Sequence, residues 1–336
     1  MSNQQILLAA ARELYPERDS RLQEGWLASL ETRLAVWLAK RRVSPNQLQR
    51  RLVAINQLAG EFDHLTLAEL AEQAKSCRRQ LRGQGFTESA VARAFALVRA
   101  VAMQTVAMRH FDCQLMAGLV MLEGMIAEMN TGEGKTLTAT LSACTAALAG
   151  LTVHVITVND YLAARDAEIL GPIYQALNLT VGVVQSDMSP AERQRAYACD
   201  VVYCTNKDVV FDYLRDRLVL QNQTNPLSLQ LKKLYGTDDS FKQLYLQGLP
   251  FAIVDEADSV LVDEARIPLI ISATVDHGEE LQILQTALAI ARELEQDCDF
   301  TVDKQRAQIA LQAAGKTNIQ QQTASLGGVW NAMPLS

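Results

Sequence analysis

The 336-residue chain is poor in the residues that build metal clusters and disulfide frameworks. It has six cysteines and four scattered histidines, and no two cysteines form a Cys-x-x-Cys pair. The thiols are therefore expected to be structural and not metal ligands. Unpaired cysteines suit a reducing cytosol, and the N-terminus has no apolar signal-peptide core that would indicate export.

Positive charge is not in excess either. The net charge is −7 and the sequence pI is about 5.3. These values argue against a nucleic-acid partner, because a domain that binds nucleic acid usually has a basic face. With a hydrophobic content of 49%, the chain is long enough for about two domains with sizeable cores.

Long uninterrupted apolar runs are also rare. Residues 137–158 come closest to a membrane span, but Gly150, His154 and five threonines interrupt them. A helix, a turn and a strand account for this stretch better. Short apolar strands alternate with helical patterns further on, which predicts a parallel sheet wound on both faces. The predicted strands are Thr152–Val158, Thr180–Val184, Asp200–Cys204 and Phe251–Val254.

Residues 129–136, Met-Asn-Thr-Gly-Glu-Gly-Lys-Thr, predict a phosphate-binding loop. Gly132 and Gly134 permit a tight turn that exposes backbone N–H groups to phosphate oxygens. Lys135 can lie between the β- and γ-phosphates, and Thr136 can place its hydroxyl on Mg²⁺. A Gly-Lys-Thr triplet arises easily by chance, so the context of the loop decides its meaning.

Two sequence features bear on that context. Residues 137–149 are rich in Leu and Ala and predict the helix whose N-terminal dipole favours the bound anion. Met129 departs from the usual pattern, which begins with Gly or Ala. A second triplet, Gly315-Lys316-Thr317, has no preceding glycine or strand and predicts only a turn into a helix.

The predicted strand Phe251–Val254 runs directly into Asp255 and Glu256. Open α/β sheets place ligands at the carboxyl ends of their strands. Asp255 could hold Mg²⁺ through water, and Glu256 could orient or deprotonate an attacking water. Residues 255–258 could instead be a solvated acidic turn. The loop and the acidic strand together predict a nucleoside triphosphatase.

Further segments resemble the SecA preprotein translocase ATPases. The resemblance is strong over residues 100–274, and the segment after Arg266 is more distinctive than the nucleotide motifs because general helicases lack it. The matching runs are Met108-Arg109-His110-Phe111-Asp112-Cys113-Gln114, Ile126–Thr136, Thr157–Asp166, Phe211-Asp212-Tyr213-Leu214-Arg215-Asp216, Asp263-Glu264-Ala265-Arg266 and Pro268–Ser272.

The resemblance implies a role for each matching residue. Gln114 should hydrogen-bond adenine, with Met108 and Phe111 packing near the base. Arg165 is expected to approach the nucleotide. Thr136 and Asp255 should hold Mg²⁺, and catalysis should involve Glu256, Asp255 and Lys135. The residues expected to hold the phosphates are Thr131, Gly132, Glu133, Gly134, Lys135 and Thr136.

The sequence departs from the family pattern in four places that hold no phosphate or Mg²⁺ ligand. Ala257 replaces a usual Val, so that residues 255–258 spell Asp-Glu-Ala-Asp as in RNA helicases. The other three departures are Asn130 for Arg, Cys204 for Gly and Ile267 for Thr.

The resemblance also implies a domain plan. An α-helical N-terminal region over 1–100 precedes a RecA-like P-loop NTPase domain of the DEAD-like helicase type over 101–274, in which 221–250 form a peripheral insertion. Residues 275–336 begin a preprotein cross-linking domain as a short, partial α+β segment. Such motors also contain a second RecA-like domain, which supplies arginine fingers to the ATP site. Residues 275–336 are too few for that domain, so the chain is interpreted as an N-terminal piece of a motor. Such a piece is expected to bind ATP or ADP and to hydrolyse ATP slowly.

The N-terminal region adds a basic cluster around Pro45, made of Lys40, Arg41, Arg42, Arg50 and Arg51. It predicts either a solvated helix end or contact with an anionic lipid surface. The partners that the resemblance implies are preproteins and a membrane channel at the cytoplasmic face of the bacterial plasma membrane. Two alternatives stay open, a helicase-like ATPase acting on nucleic acid and a non-catalytic module that binds nucleotide.

Overall fold

The computed structural model describes residues 43–220, 243–246, 248–266, 278–303 and 308–324. The chain divides into two compact units between Leu269 and Ile270. The three-part division expected from the sequence stays a prediction. Most of the insertion 221–250, the segment 267–274 and the cluster Lys40–Arg42 lie outside the described residues.

The first unit is built on a four-stranded parallel sheet, so the predicted α/β fold is confirmed. The strands are β1 (Val153–Thr157), β2 (Val181–Val183), β3 (Val201–Thr205) and β4 (Phe251–Val254), in the spatial order β2-β3-β1-β4. Val153 pairs with Val201 on one side and with Phe251 on the other. The carboxyl ends of all four strands therefore lie along one edge.

Both faces of the two central strands, β1 and β3, are covered, as their apolar sequences require. Alternate side chains of β3 enter different cores: Val201 and Tyr203 join the larger one, and Val202 and Cys204 the smaller. The first unit's helices are α1 (Pro45–Phe62), α2 (Leu67–Gln84), α3 (Glu88–Val106), α4 (Asp112–Leu122), α5 (Lys135–Leu148), α6 (Asp160–Ala176), α7 (Pro190–Tyr197) and α8 (Asn206–Val219).

Helix α3 forms the centre of the larger core. It packs against α1, α2, α5 and α6, and nearly all its side chains from Ala90 to Ala102 are buried. By length and composition it is the one helix among the described residues that could cross a membrane. Two thirds of it is already buried within the protein, as in the core helix of a soluble fold.

The helical flank is joined to the segment 108–124 by one partly buried and one exposed ion pair. Arg51, predicted as part of the basic cluster, is buried and its Nη1 lies 3.0 Å from Glu123 Oε1. Arg51 is therefore unavailable to lipid, and that part of the prediction is wrong. Arg50 is exposed. Arg109 donates two hydrogen bonds to the Asp63 carboxylate, at 2.7 and 2.9 Å.

Acidic side chains on one face of α8 hold the smaller core together. Asp212 and Asp216 are four residues apart, so they lie one turn above each other, and both are fully buried. Asp212 accepts hydrogen bonds from Arg193 Nη1 at 2.7 Å and Tyr197 Oη at 3.0 Å. Asp216 accepts the backbone N–H groups of residues 245 and 246, both at 2.8 Å. The described end of the insertion thus packs into this core.

The second unit consists of α9 (Gly278–Arg292), β5 (Phe300–Asp303), β6 (Gln308–Leu311) and α10 (Ala313–Ala324), with β5 and β6 antiparallel. The triplet Gly315-Lys316-Thr317 lies inside α10 and not at a turn before it. Gly315 is needed there because a Cβ would come within 2.2 Å of the Asp299 carbonyl oxygen. Gly315 therefore has a packing role in this helix.

Candidate active site

The predicted phosphate-binding loop leads into α5 as expected. Gly132 and Gly134 have φ angles of +88° and +76°, a left-handed conformation that glycine adopts without strain. Gly134 is the N-cap residue, so the first turn of α5 begins at Lys135. Residues 125–130 before the loop form no strand. The loop is held instead by contacts with the segment 108–114.

Gln114 supplies the closest of these contacts. Its buried side chain accepts the Phe111 N–H at 2.8 Å and donates Nε2 to the Glu133 carbonyl at 2.8 Å. A Cβ at position 134 would lie 2.5 Å from Gln114 Nε2 and would displace this side chain, and the φ of +76° also favours glycine there. The side chain predicted to read adenine thus also braces the loop; its contact with the base stays a prediction.

Two apolar side chains flank this brace. Phe111 is 70% exposed, although a large aromatic side chain usually avoids water. Met108 is half-buried against the larger core. An exposed ring beside a primary amide offers a stacking face together with a hydrogen-bonding group, which is what a purine base requires.

His110 fixes the segment 108–114 to α5. The ring is fully buried, and Nε2 lies 3.0 Å from the Leu137 carbonyl oxygen and 3.1 Å from Thr140 Oγ1. A carbonyl can only accept, so Nε2 carries the proton. Sequence reasoning included this histidine in a motif but gave it no role. Its role is to hold the segment carrying Phe111 and Gln114 against the helix that follows the loop.

Acidification should destabilise the protein through two histidines. Burial lowers the pKa of both His110 and His154, each to about 4. The ordinary pKa is about 6.5, so the unfolded chain binds more protons between pH 6.5 and 4, and about 3 kcal/mol per histidine is lost as the pH falls through that window. Urea unfolding from pH 7.5 to 4.5 should show this slope.

Matched variants separate the buried histidines from other acid effects. His154→Leu should remove about half of the histidine contribution. His64→Asn should keep the full slope, because His64 is exposed. Equal slopes for the wild type and His154→Leu would contradict the assignment.

Asp255 and Glu256 follow β4 at the carboxyl edge of the sheet. The Asp255 N–H donates to the Ile156 carbonyl at 2.9 Å, which continues the β1–β4 ladder by one residue. Asp255 Oδ1 accepts the Glu256 N–H at 3.0 Å. Glu256 has a φ of +51°, a rare conformation for a residue with a side chain, and it is exposed. Such strain is concentrated at functional sites, and here it turns Glu256 out of the strand direction.

Arg165 was predicted to approach the nucleotide, and its closest partner is the neighbouring Asp166. It is on α6, where Nε and Nη2 both donate to Asp166 Oδ1, at 2.9 and 2.7 Å. The hydrogen bond to Asp166 is the main cause that raises the pKa of Arg165, and the negative charge of Asp255 makes a smaller contribution in the same direction. The local fold is set by Asn159, which follows β1 and caps α6 by accepting the Leu162 N–H at 2.9 Å.

The donor set fits a magnesium–nucleotide complex. Thr136 and Asp255 offer hard oxygen atoms, and Lys135 makes no ion pair within the described part of the chain. In that part no group of three or more His, Cys, Asp or Glu could hold a metal ion by itself. Mg²⁺ bound with nucleotide phosphates needs only one or two protein ligands. Helix α5 contacts β4, which connects the loop to the acidic strand.

The structure also explains two other motifs from the sequence. The run 211–216 is a structural motif, because its two aspartates hold the buried network of α7 and α8. In the run 263–266, Glu264 accepts a hydrogen bond from Asn206 and lies 3.6 Å from Lys207 Nζ. This contact anchors the segment after the acidic strand to the end of β3.

Sequence reasoning missed Arg193, which binds Asp212 in the buried network. An arginine on a short polar helix gives no signal of burial.

Comparison with known proteins shows the family of this chain. The SecA DEAD-like domain family model matches residues 34–329. Protein translocase subunit SecA 2 of Bordetella avium is 46% identical over 95% of this chain and 48% of its own length. SecA 3 of Magnetococcus marinus is 43% identical over 94% of this chain and 48% of its own. SecA of Neisseria meningitidis is 41% identical over 84% of this chain and 29% of its own.

The chain therefore spans about half the length of the SecA 2 and SecA 3 relatives that it matches. It spans about 29% of the longer SecA protein of Neisseria meningitidis. The family match covers most of the chain and includes both the phosphate-binding loop and the acidic strand. The sheet and loop agree with the predicted RecA-like P-loop fold. This protein belongs to the SecA family, because the SecA DEAD-like domain model matches most of the chain.

Proposed function

We propose that this chain binds ATP or ADP with Mg²⁺ and hydrolyses ATP slowly, as the N-terminal nucleotide-binding part of a protein translocase motor. The observation that carries the proposal is the joining of the loop 131–136 to Gln114 and Phe111, which combines phosphate-binding and base-binding chemistry. Family membership supports the use of ATP.

Each residue of the site has a separate task in this proposal. The N–H groups of the loop and the first turn of α5 bind phosphate oxygens, and Lys135 offsets their charge. Thr136 and Asp255 hold Mg²⁺, which when bound neutralises charge on the phosphates. Glu256 orients the attacking water and accepts its proton, while Phe111, Met108 and Gln114 bind the adenine. Arg165, positioned by Asp166, approaches the phosphates.

Hydrolysis is proposed to be slow because the site is open to water. Lys135 and Glu256 are both exposed. Charge stabilisation in a transition state is strongest where water is excluded, and an exposed lysine and carboxylate act in a high dielectric. Nucleotide binding does not require water to be excluded, so the chain should bind ATP and ADP even though it hydrolyses ATP slowly.

The test is nucleotide binding by isothermal titration with a matched lysine control. Lys135→Ala should weaken ATP binding about tenfold to a hundredfold, because a charge-assisted contact with phosphate is lost. Lys316→Ala should bind as the wild type does, since the same triplet lies inside α10. Wild-type protein that binds neither ATP nor ADP would refute the proposed function.

The proposed partners follow from the names of the relatives, which are protein translocase subunits. Preproteins and a membrane channel are proposed as partners, with the chain at the cytoplasmic face of the membrane. Asp-Glu-Ala-Asp at 255–258 is the one observation that favours the helicase alternative. Stimulation of ATP hydrolysis by RNA, and not by a signal-peptide substrate, would support that alternative.

A further inference from the structure

Glu133 places a negative charge inside a loop that should bind phosphates. It lies between Gly132 and Gly134, both left-handed, and it is exposed. A carboxylate that pointed towards the ligand would repel a triphosphate and reduce the benefit of the neighbouring N–H groups. Some feature of the loop must therefore fix where this carboxylate points.

Asn130 supplies that feature. Its backbone N–H donates to Glu133 Oε2 at 2.9 Å, and its side-chain Nδ2 donates to Oε1 at 3.3 Å. The Glu133 N–H donates back to the Asn130 carbonyl at 3.3 Å. Both carboxylate oxygens are thus bound to the residue at the entrance of the loop. On the other side the Glu133 carbonyl is held by Gln114.

We propose that Asn130 is a positioning residue for nucleotide binding, which holds the Glu133 carboxylate against the loop's own backbone and away from the phosphates. The inference rests on the proposed function. Asn130 does not touch the nucleotide in this proposal; it acts through Glu133. Its effect should therefore grow with the number of phosphates on the ligand and vanish when residue 133 carries no charge.

The test is a double-mutant cycle, measured as affinity for MgATP, MgADP and adenosine. Asn130→Ala should weaken MgATP binding about three- to tenfold, MgADP binding less, and adenosine binding hardly at all. The variant loses the Nδ2 hydrogen bond to Oε1 and keeps only the backbone N–H bond to Oε2, so the carboxylate can turn towards the phosphates. Glu133→Gln should make Asn130→Ala nearly silent. Gln84→Ala, an exposed amide at the end of α2, is the matched control.

Each outcome decides the inference. A loss for adenosine as large as for MgATP, or the same loss with Glu133→Gln present, would overturn it and assign Asn130 to the general shape of the loop. An unchanged affinity of Asn130→Ala would overturn it as well. After any of these outcomes, the proposed function still holds as long as the wild-type protein binds nucleotide. Wild-type protein that binds no nucleotide would refute the inference and the proposed function together. Thermal unfolding of each variant confirms that it is folded.

Discussion

Replacing Glu256 by Gln should slow ATP hydrolysis about 10²–10⁴-fold and change ATP affinity by less than about threefold. Glutamine has the same shape as glutamate but cannot accept a proton from the attacking water. The effect should be large because Glu256 stands directly after the strand that carries Asp255, in a left-handed conformation that turns it away from the strand. Measurement requires single turnover of radiolabelled ATP with the protein in excess, so that slow hydrolysis remains visible.

A carboxylate on α6 provides the control for this variant. Glu168 is exposed on α6, and Glu168→Gln should hydrolyse ATP at the wild-type rate. Titration of Glu256→Gln with ATP separates catalysis from binding. Turnover by Glu256→Gln at the wild-type rate would show that Glu256 is not the base, and the acidic strand would then serve only to hold Mg²⁺.

Removing Asp212 should destabilise the first unit by about 3 kcal/mol, because buried Arg193 then keeps Asp208 as its one charged partner and Tyr197 loses its acceptor. Arg193 is 7% exposed and Asp212 is fully buried. Asp212 also accepts hydrogen bonds from Tyr197 and from Arg215 Nη1, the latter at 2.8 Å. Asp212→Ala therefore breaks three contacts at once. The measurement is urea unfolding followed by circular dichroism.

A double variant and an exposed ion pair make this prediction specific. Arg193→Met with Asp212→Leu should cost less than the sum of the single variants, because the loss of the Arg193–Asp212 contact is then counted once. Asp208 loses its contact with Arg193 in the double variant as it does in Arg193→Met. Glu72 pairs with Lys75 at 2.6 Å, but both side chains are more than 60% exposed, so Glu72→Ala should change stability by less than about 0.5 kcal/mol. Additive losses in the double variant would contradict a coupled network.

The chemistry-bearing segments could be predicted from the sequence because their signals are local. A glycine-rich loop needs particular residue types at particular spacings, and Phe251–Val254 was predicted to the residue as a strand that ends in carboxylates. The flank was harder. Arg51 has the composition of a solvated helix end, yet Glu123, 72 positions away, buries it. A pairing over that distance leaves no periodic trace in the sequence.

By itself, the sequence determined the phosphate-binding loop, the acidic strand, the α/β alternation and the SecA resemblance, because each depends on neighbouring residues. Only the tertiary structure decided how the segments 108–114 and 129–136 meet. Gln114 and Glu133 are 19 residues apart, and their contact exists because α4 and α5 pack together. The tertiary structure likewise showed that Asp212 and Asp216 are buried and have a structural role. The sequence motif could not show this, because burial depends on which distant segments pack over a side chain.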